Sequence, residues 1–182
     1  MRHIKIIKSI SLLISLFLIT SCSNNAAMKP EDFKNKEPRL IIEEYLSGNV
    51  KAWGVLQNRS GKVTRQFSAD LNGKWDGNQL ILDEKFNWDD GEIQNRQWQI
   101  TKIDKNNYEG TAGDVVGTAK GYSYGPAFKF EYVLLVPVKG KEMKITFDDW
   151  IFKQDDRVAI NRATMTKFGF KVAELTVVFV KD

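Results

Sequence analysis

Cysteine and histidine are almost missing from this sequence. Cys22 is the single cysteine and His3 the single histidine, so from Ser23 onward there is neither. That absence removes intrachain disulfides, most zinc, copper and haem sites, and every histidine-based catalytic triad. No apolar run reaches the roughly 20 residues that a membrane-spanning helix needs. No cluster of five to eight lysines and arginines exists to follow a phosphate backbone, which argues against nucleic acid as a partner. Chemistry through carboxylates, tyrosine, lysine or serine stays open. No catalytic motif is recognisable, however, and the expectation is a non-enzymatic protein with no cofactor and no metal.

What is present begins at the N-terminus. Arg2, Lys5 and Lys8 precede a short apolar core from Ile10 to Ile19, interrupted by Ser11 and Ser15, and Ile19-Thr20-Ser21-Cys22 closes it. A basic start, a short apolar core and small residues before a cut site describe a signal peptide over residues 1–21. Cys22 directly after Ser21 resembles a bacterial lipobox, which implies acylation of Cys22 and membrane attachment through its acyl chains. An ordinary signal peptide is the alternative. The net charge of +4 rests on 27 basic and 23 acidic residues, and removing Arg2, Lys5 and Lys8 brings the remainder close to neutrality. Residues 22–38 are polar, with Asn24, Asn25, Pro30 and Pro38 as breakers, and read as a lipidated tether. Ser23 follows Cys22 where enterobacterial lipoproteins often carry the Asp of inner-membrane retention. By that resemblance the chain is expected on the periplasmic face of the bacterial outer membrane.

From about Val50 to Lys181 residues alternate in polarity between turn signals. Val63, Arg65, Phe67, Ala69 and Leu71 share one face, as do Leu82, Glu84, Phe86 and Trp88, and again Phe128, Phe130, Tyr132, Leu134 and Val136. Arg59-Ser60-Gly61, Asp76-Gly77-Asn78, Asp89-Asp90-Gly91, Lys139-Gly140, Asp155-Asp156 and Phe168-Gly169 separate the runs. Period-two patterning with turns every ten or so residues predicts an all-β domain over residues 39–182. With no long crossover, an antiparallel up-and-down β-barrel of about 8–10 strands is expected, lipocalin-like in outline and able to enclose one small ligand. Only Pro38 to Gly48 reads as helical, a short segment that could cap one end.

Charged residues on the apolar faces are the candidate site. A turn at Asp89-Asp90-Gly91 places Phe86 opposite Arg96 and Glu84 opposite Trp98, so that Glu84 is diagonal to Arg96. A turn at Asp155-Asp156 with Gln154 facing Arg157 places Asp149 opposite Arg162. Arg65 has no assigned partner, with Asp114 and Asp148 as candidates. If these faces point inward, the interior holds three arginines and two carboxylates, and the surplus guanidinium suits the head of an amphipathic anion. On this reading Arg65, Arg96 and Arg162 contact a fatty acid or lysolipid, Glu84 and Asp149 hold two of them, and Phe67, Trp98 and Phe147 line the apolar part. Plain structural ion pairs are the alternative, and a register slip of one residue would turn either set to solvent. The adjacent carboxylates Asp148 and Asp149 point to opposite faces, so they cannot share a metal ion.

Beyond single residues, the chain resembles a family of bacterial lipoproteins defined by a domain of unknown function numbered 3833. The resemblance runs from about Leu40 to Lys181 and rests on Ala52-Trp53-Gly54, Arg65 with Phe67, Trp75-Asp76-Gly77, Asp89-Asp90-Gly91, Gly110-Thr111-Ala112, Asp114-Val115-Val116-Gly117, Phe147-Asp148-Asp149-Trp150 and Asn161-Arg162-Ala163-Thr164-Met165. It implies a lipid-anchored domain without an assigned activity or cofactor. Two functions are therefore expected in order: binding or carrying an amphipathic lipid or fatty acyl compound, or a structural and assembly role through a protein partner.

Overall fold

The computed structural model describes residues 27–138 and 140–182; the expected signal peptide and Cys22 lie outside them. Alternating patterns become ten antiparallel strands, β1 (Gly48–Asn58), β2 (Val63–Trp75), β3 (Gln79–Trp88), β4 (Ile93–Lys102), β5 (Asn107–Thr111), β6 (Ala119–Tyr124), β7 (Ala127–Val138), β8 (Lys141–Lys153), β9 (Val158–Lys167) and β10 (Phe170–Lys181). Each strand pairs with its successor, and β1 pairs with β10 to close the barrel, with Ala52 opposite Phe179 and Gly54 opposite Val177. This is the expected up-and-down barrel, at the upper end of the strand count. Closure pairs the two terminal strands with each other, and the inward residues carry the core together with the segment that plugs one end.

One end of the barrel is plugged. The segment expected to be helical contributes a single turn, α1 (Ile42–Tyr45), because Ile41 stays extended and Gly48 turns the chain at φ +83°. Leu40 and Ile42 are fully buried. Gly73 lets the plug seat: a Cβ there would stand 1.9 Å from the Leu46 carbonyl oxygen. Buried Glu43 accepts a hydrogen bond from the Tyr108 hydroxyl (2.9 Å) and pairs with Lys102. The Lys181 ammonium donates to the carbonyls of Glu44, Tyr45 and Ser47 at 2.6–2.9 Å, and the Tyr45 hydroxyl donates to the Arg157 carbonyl at 2.9 Å.

The tether expectation needs correcting for its later part. Pro30–Phe33 forms a 3-10 turn, and the Phe33 ring packs on Trp150 and Phe152 at 6.0 and 5.5 Å. Apolar contact, which a list of polar residues and breakers does not reveal, holds this segment to the barrel at the plugged end. The core, the plug and all ten strands described lie between Leu40 and Lys181, so a chain that starts at Ser23 keeps all of them.

The other end carries the β1–β2, β3–β4, β7–β8 and β9–β10 hairpins and forms a mouth. β5 and β6 are short and stop half-way up. Residues 112–118 fill the gap: the Val116 amide donates to Val133 (2.8 Å) and the Leu135 amide to Asp114 (2.9 Å). At the tip of β9–β10, Phe168 sits at φ +51° before Gly169 at φ +80°. A left-handed backbone costs a non-glycine residue about 1 kcal/mol, least for asparagine. Phe168→Asn is therefore expected to raise stability by roughly 0.5–1 kcal/mol, which a shift of the urea midpoint would register; a lower midpoint would refute the strain.

Candidate functional site

Between the plug and the mouth lies a cavity of about 430 Å³. Inward positions of the strands build its walls: Phe67 and Leu71 from β2, Phe86 from β3, Trp98 from β4, Phe130 and Tyr132 from β7, and Phe147 from β8. The rings support one another. Phe67 packs edge-on to Phe86 at 5.2 Å, Trp98 meets Tyr132 at 5.3 Å, and Tyr132 stacks on Phe147 at 5.0 Å. Gly54 makes room for Phe67, whose ring would lie 2.3 Å from any Cβ at that position.

One polar cluster interrupts this apolar lining. Glu84 stands directly opposite Arg96 in the β3–β4 ladder, with an Oε2 to Nη1 separation of 3.7 Å. Asp114, from the 112–118 segment, takes the other side of the guanidinium, accepting from Nε at 3.0 Å and Nη2 at 2.8 Å. Asp149 accepts from the Tyr132 hydroxyl at 2.9 Å and from the Asn161 amide. Burial pushes Glu84 up to about 7 and Asp149 up to about 6, because an ionised carboxylate loses its hydration there. Burial and the neighbouring Asp149 also push the Tyr132 hydroxyl up, which keeps it a donor. Glu84 Oε2 is buried with no hydrogen-bond partner. An unpaired buried acceptor is costly, and it marks where a donor from another molecule would be satisfied. Among the described residues no group of three or more His, Cys, Asp or Glu side chains is arranged to hold a metal ion.

The structure places the sequence-derived candidates unevenly. Glu84, Arg96, Asp149, Phe67, Trp98 and Phe147 line the one cavity. Arg65 stands at its mouth, stacked 4.0 Å from the Trp88 ring and bonded to Asp90 (2.7 Å) and Glu92 (2.8 Å), not to Asp114 or Asp148. Arg162 does not belong to the site. It lies opposite Trp150, its side chain is 68% exposed, and its nearest carboxylate is Glu174 at 3.8 Å. The β8–β9 turn has three residues, not two: the Gln154 amide bonds the Val158 carbonyl, and the Asp155 carboxylate accepts from the amides of Arg157 and Val158. That single added residue turns Arg162 outward and brings Asn161 in. The β3–β4 register differs by two residues from expectation, which keeps every face and makes Glu84 and Arg96 direct rather than diagonal partners.

The expected surplus of guanidinium is thereby reversed. Inside, Arg96 pairs with Glu84 and Asp114 and shares the cavity with a third carboxylate, Asp149, and Arg65 at the mouth is flanked by two further carboxylates. Asp114, expected only as a candidate partner of Arg65, serves Arg96 instead, and Tyr132 and Asn161 were not among the expected site residues. Of those two, Tyr132 alone carried a signal, a hydroxyl in the middle of an apolar face.

With this geometry in place, comparison with known proteins is decisive for the family. A family model described as protein of unknown function, DUF3833, matches residues 16–181. The chain belongs to DUF3833. No curated protein sequence matches it. Among solved structures, a protein of unknown function of the DUF3598 family from Nostoc punctiforme aligns with TM-score 0.60 at 14% identity, covering 81% of this chain and 51% of its own. The DUF3833 chain thus spans about half the length of that protein. An S-type phycobiliprotein lyase from Guillardia theta aligns with TM-score 0.55 at 9% identity, covering 77% of this chain and 90% of its own. At these identities the likeness is one of fold: a lipocalin-like barrel.

Proposed function

We propose that the barrel binds one small amphipathic molecule of the fatty acyl or lysolipid class, without catalysis. The carrying observation is an apolar-walled cavity of about 430 Å³ that contains a buried carboxylate oxygen, Glu84 Oε2, 3.7 Å from the Arg96 guanidinium but without a hydrogen-bond partner. The volume falls in the range of roughly 300–1,000 Å³ typical of small-molecule sites. The acyl chain lies along Phe67, Phe86, Trp98 and Phe147. The head reaches the polar cluster and supplies a donor, a hydroxyl or an N–H, to Glu84. With carboxylates in excess over Arg96, a head bearing its own negative charge is the poorer fit. Acylation of Cys22 and residence at the periplasmic face of the outer membrane complete the proposal, supported by the N-terminal sequence.

Native mass spectrometry on the chain from Ser23, produced in a bacterial periplasm, tests this reading. A reproducible mass excess is expected, released as an acyl compound on denaturation. In dye displacement at about pH 8, a long-chain monoacylglycerol should bind at least about tenfold more tightly than the fatty acid of equal length, since one satisfied hydrogen bond is worth about 1.5 kcal/mol. Glu84→Gln should narrow that ratio. A clean apo mass together with no displacement by either lipid would mean a filled barrel and would overturn the proposal in favour of a protein-binding role.

A further inference from the structure

The mouth is chemically lopsided. Following the strand order β1, β10, β9, β8, β7, three consecutive hairpins at this end are basic. They carry Arg59 and Lys62, then Lys167 and Lys171, the latter paired with Glu174 at 3.2 Å, then Lys141 beside Glu142. Next around the barrel from β1–β2, the β3–β4 hairpin carries Asp89, Asp90 and Glu92, and Arg65 ties up the last two. In the middle of the basic arc stand two aromatic rings in water: Phe168 is 89% exposed and Phe170 69%, with Val172 and Val63 also exposed close by. Scattered exposed apolar residues are ordinary. A phenylalanine held at φ +51° on a hairpin tip, pointing its ring away from the barrel, is not explained by folding. Its backbone strain and its exposure both count against the free protein. The Lys167 ammonium lies 5.3 Å from the Phe168 ring, so cation and ring form one projecting unit.

We propose that this rim docks on an anionic lipid bilayer, with Phe168 and Phe170 entering the headgroup layer and the arc of lysines and arginine against the negatively charged heads. Aromatic rings favour that layer, and basic side chains beside them gain from the negative surface potential. Charge complementarity selects the occupant: the apolar tip on β9–β10 is flanked by cations on its own and both neighbouring hairpins, and the acidic β3–β4 hairpin, two of its carboxylates held by Arg65, is not one of those neighbours. Docking in this pose sets the cavity's opening toward the bilayer. The proposal does not depend on which ligand the cavity holds, because the rim residues lie outside it.

Co-sedimentation of the chain from Ser23 with vesicles provides the test. Vesicles of phosphatidylethanolamine containing about one-quarter phosphatidylglycerol should bind at least about tenfold more protein than phosphatidylcholine vesicles, and raising salt from about 0.05 M to 0.5 M should remove most of the binding. Phe168→Asn combined with Phe170→Ser should weaken it about tenfold or more while leaving the circular dichroism spectrum and any bound ligand mass unchanged. Asparagine is at home in the left-handed turn, so loss of binding would not reflect a damaged fold. If the unaltered chain fails to sediment with the anionic vesicles, or the double variant binds as well as the parent, the proposal is overturned. The rim would then be a surface for a protein partner.

Discussion

Arg96→Met should lower stability by about 3–5 kcal/mol near pH 8, the cost of leaving buried carboxylates without their cation. The observation behind this figure is the position of the guanidinium between Glu84 at 3.7 Å and Asp114 at 2.8 Å, inside a cavity otherwise walled by rings. Methionine replaces much of the arginine stem, so lost packing contributes little and electrostatics dominates. Arg162→Ala is the matched control. It removes an exposed guanidinium whose nearest carboxylate is 3.8 Å away, and surface pairs of that kind contribute about 0–1 kcal/mol. Urea denaturation of the two variants would compare them directly. A loss below about 1 kcal/mol for Arg96→Met, or a larger loss for Arg162→Ala, would mean that the cluster is hydrated and not a buried charge system.

The same cluster predicts that the protein is more stable in mild acid than in mild alkali. Glu84 titrates at about 7 in the folded barrel against an ordinary 4.5, and Asp149 at about 6 against 3.8. Both folded values are raised, so the native state keeps protons that the unfolded chain has already released. Their contribution is fully present below the unfolded values and is lost as pH rises through the folded ones. At about 1.4 kcal/mol per pH unit, the decline from about pH 5.5 to 8 amounts to roughly 2–3 kcal/mol. The turn aspartates Asp76, Asp104 and Asp155 have lowered values, from backbone amides that donate to them. Their stabilisation is lost only as pH falls below the ordinary carboxylate range, outside this window. Glu84→Gln should remove most of the slope and raise stability at pH 8. An unfolding midpoint independent of pH between 5.5 and 8 would show that neither carboxylate enters the barrel as an acid.

The barrel itself was legible because period-two patterning and turn chemistry act locally: each hairpin carries its own instructions. Parity decided the site. In the β3–β4 hairpin the expected register was off by two, and an even error leaves Glu84 and Arg96 on the inner face. In β8–β9 the error was one, since Asp155-Asp156 invites a two-residue loop while the Asp155 carboxylate in fact gathers two amides beyond it. Arg162 accordingly moved out and Asn161 moved in. Asp114 was legible as a carboxylate for an inner arginine, but its partner, Arg96 rather than Arg65, was not. It lies in a segment without periodicity, and its position depends on β5 and β6 being too short to finish the wall. The partners of Arg65 come from the next hairpin around the barrel and follow only from the β2–β3 register, in which Phe67 faces Trp88.

The seam between β1 and β10 also governs how the chain reaches this state. Nine of the ten ladders join strands adjacent in sequence and can form as soon as each hairpin exists. The tenth joins Val50 to Lys181 and spans nearly the whole domain. Closing so long a loop is slow because its entropy is lost before any contact compensates. Until it closes, β1 and β10 are both bare edges, and the plug lacks the Lys181 ammonium that bonds three of its carbonyls. Barrel closure and plug seating are therefore one event, and it waits for β10. A nascent protein emerging in order would remain an open, curled sheet with its cavity unmade until Lys181 arrives, and loss of the final strand would leave a molecule with two sticky edges and no pocket.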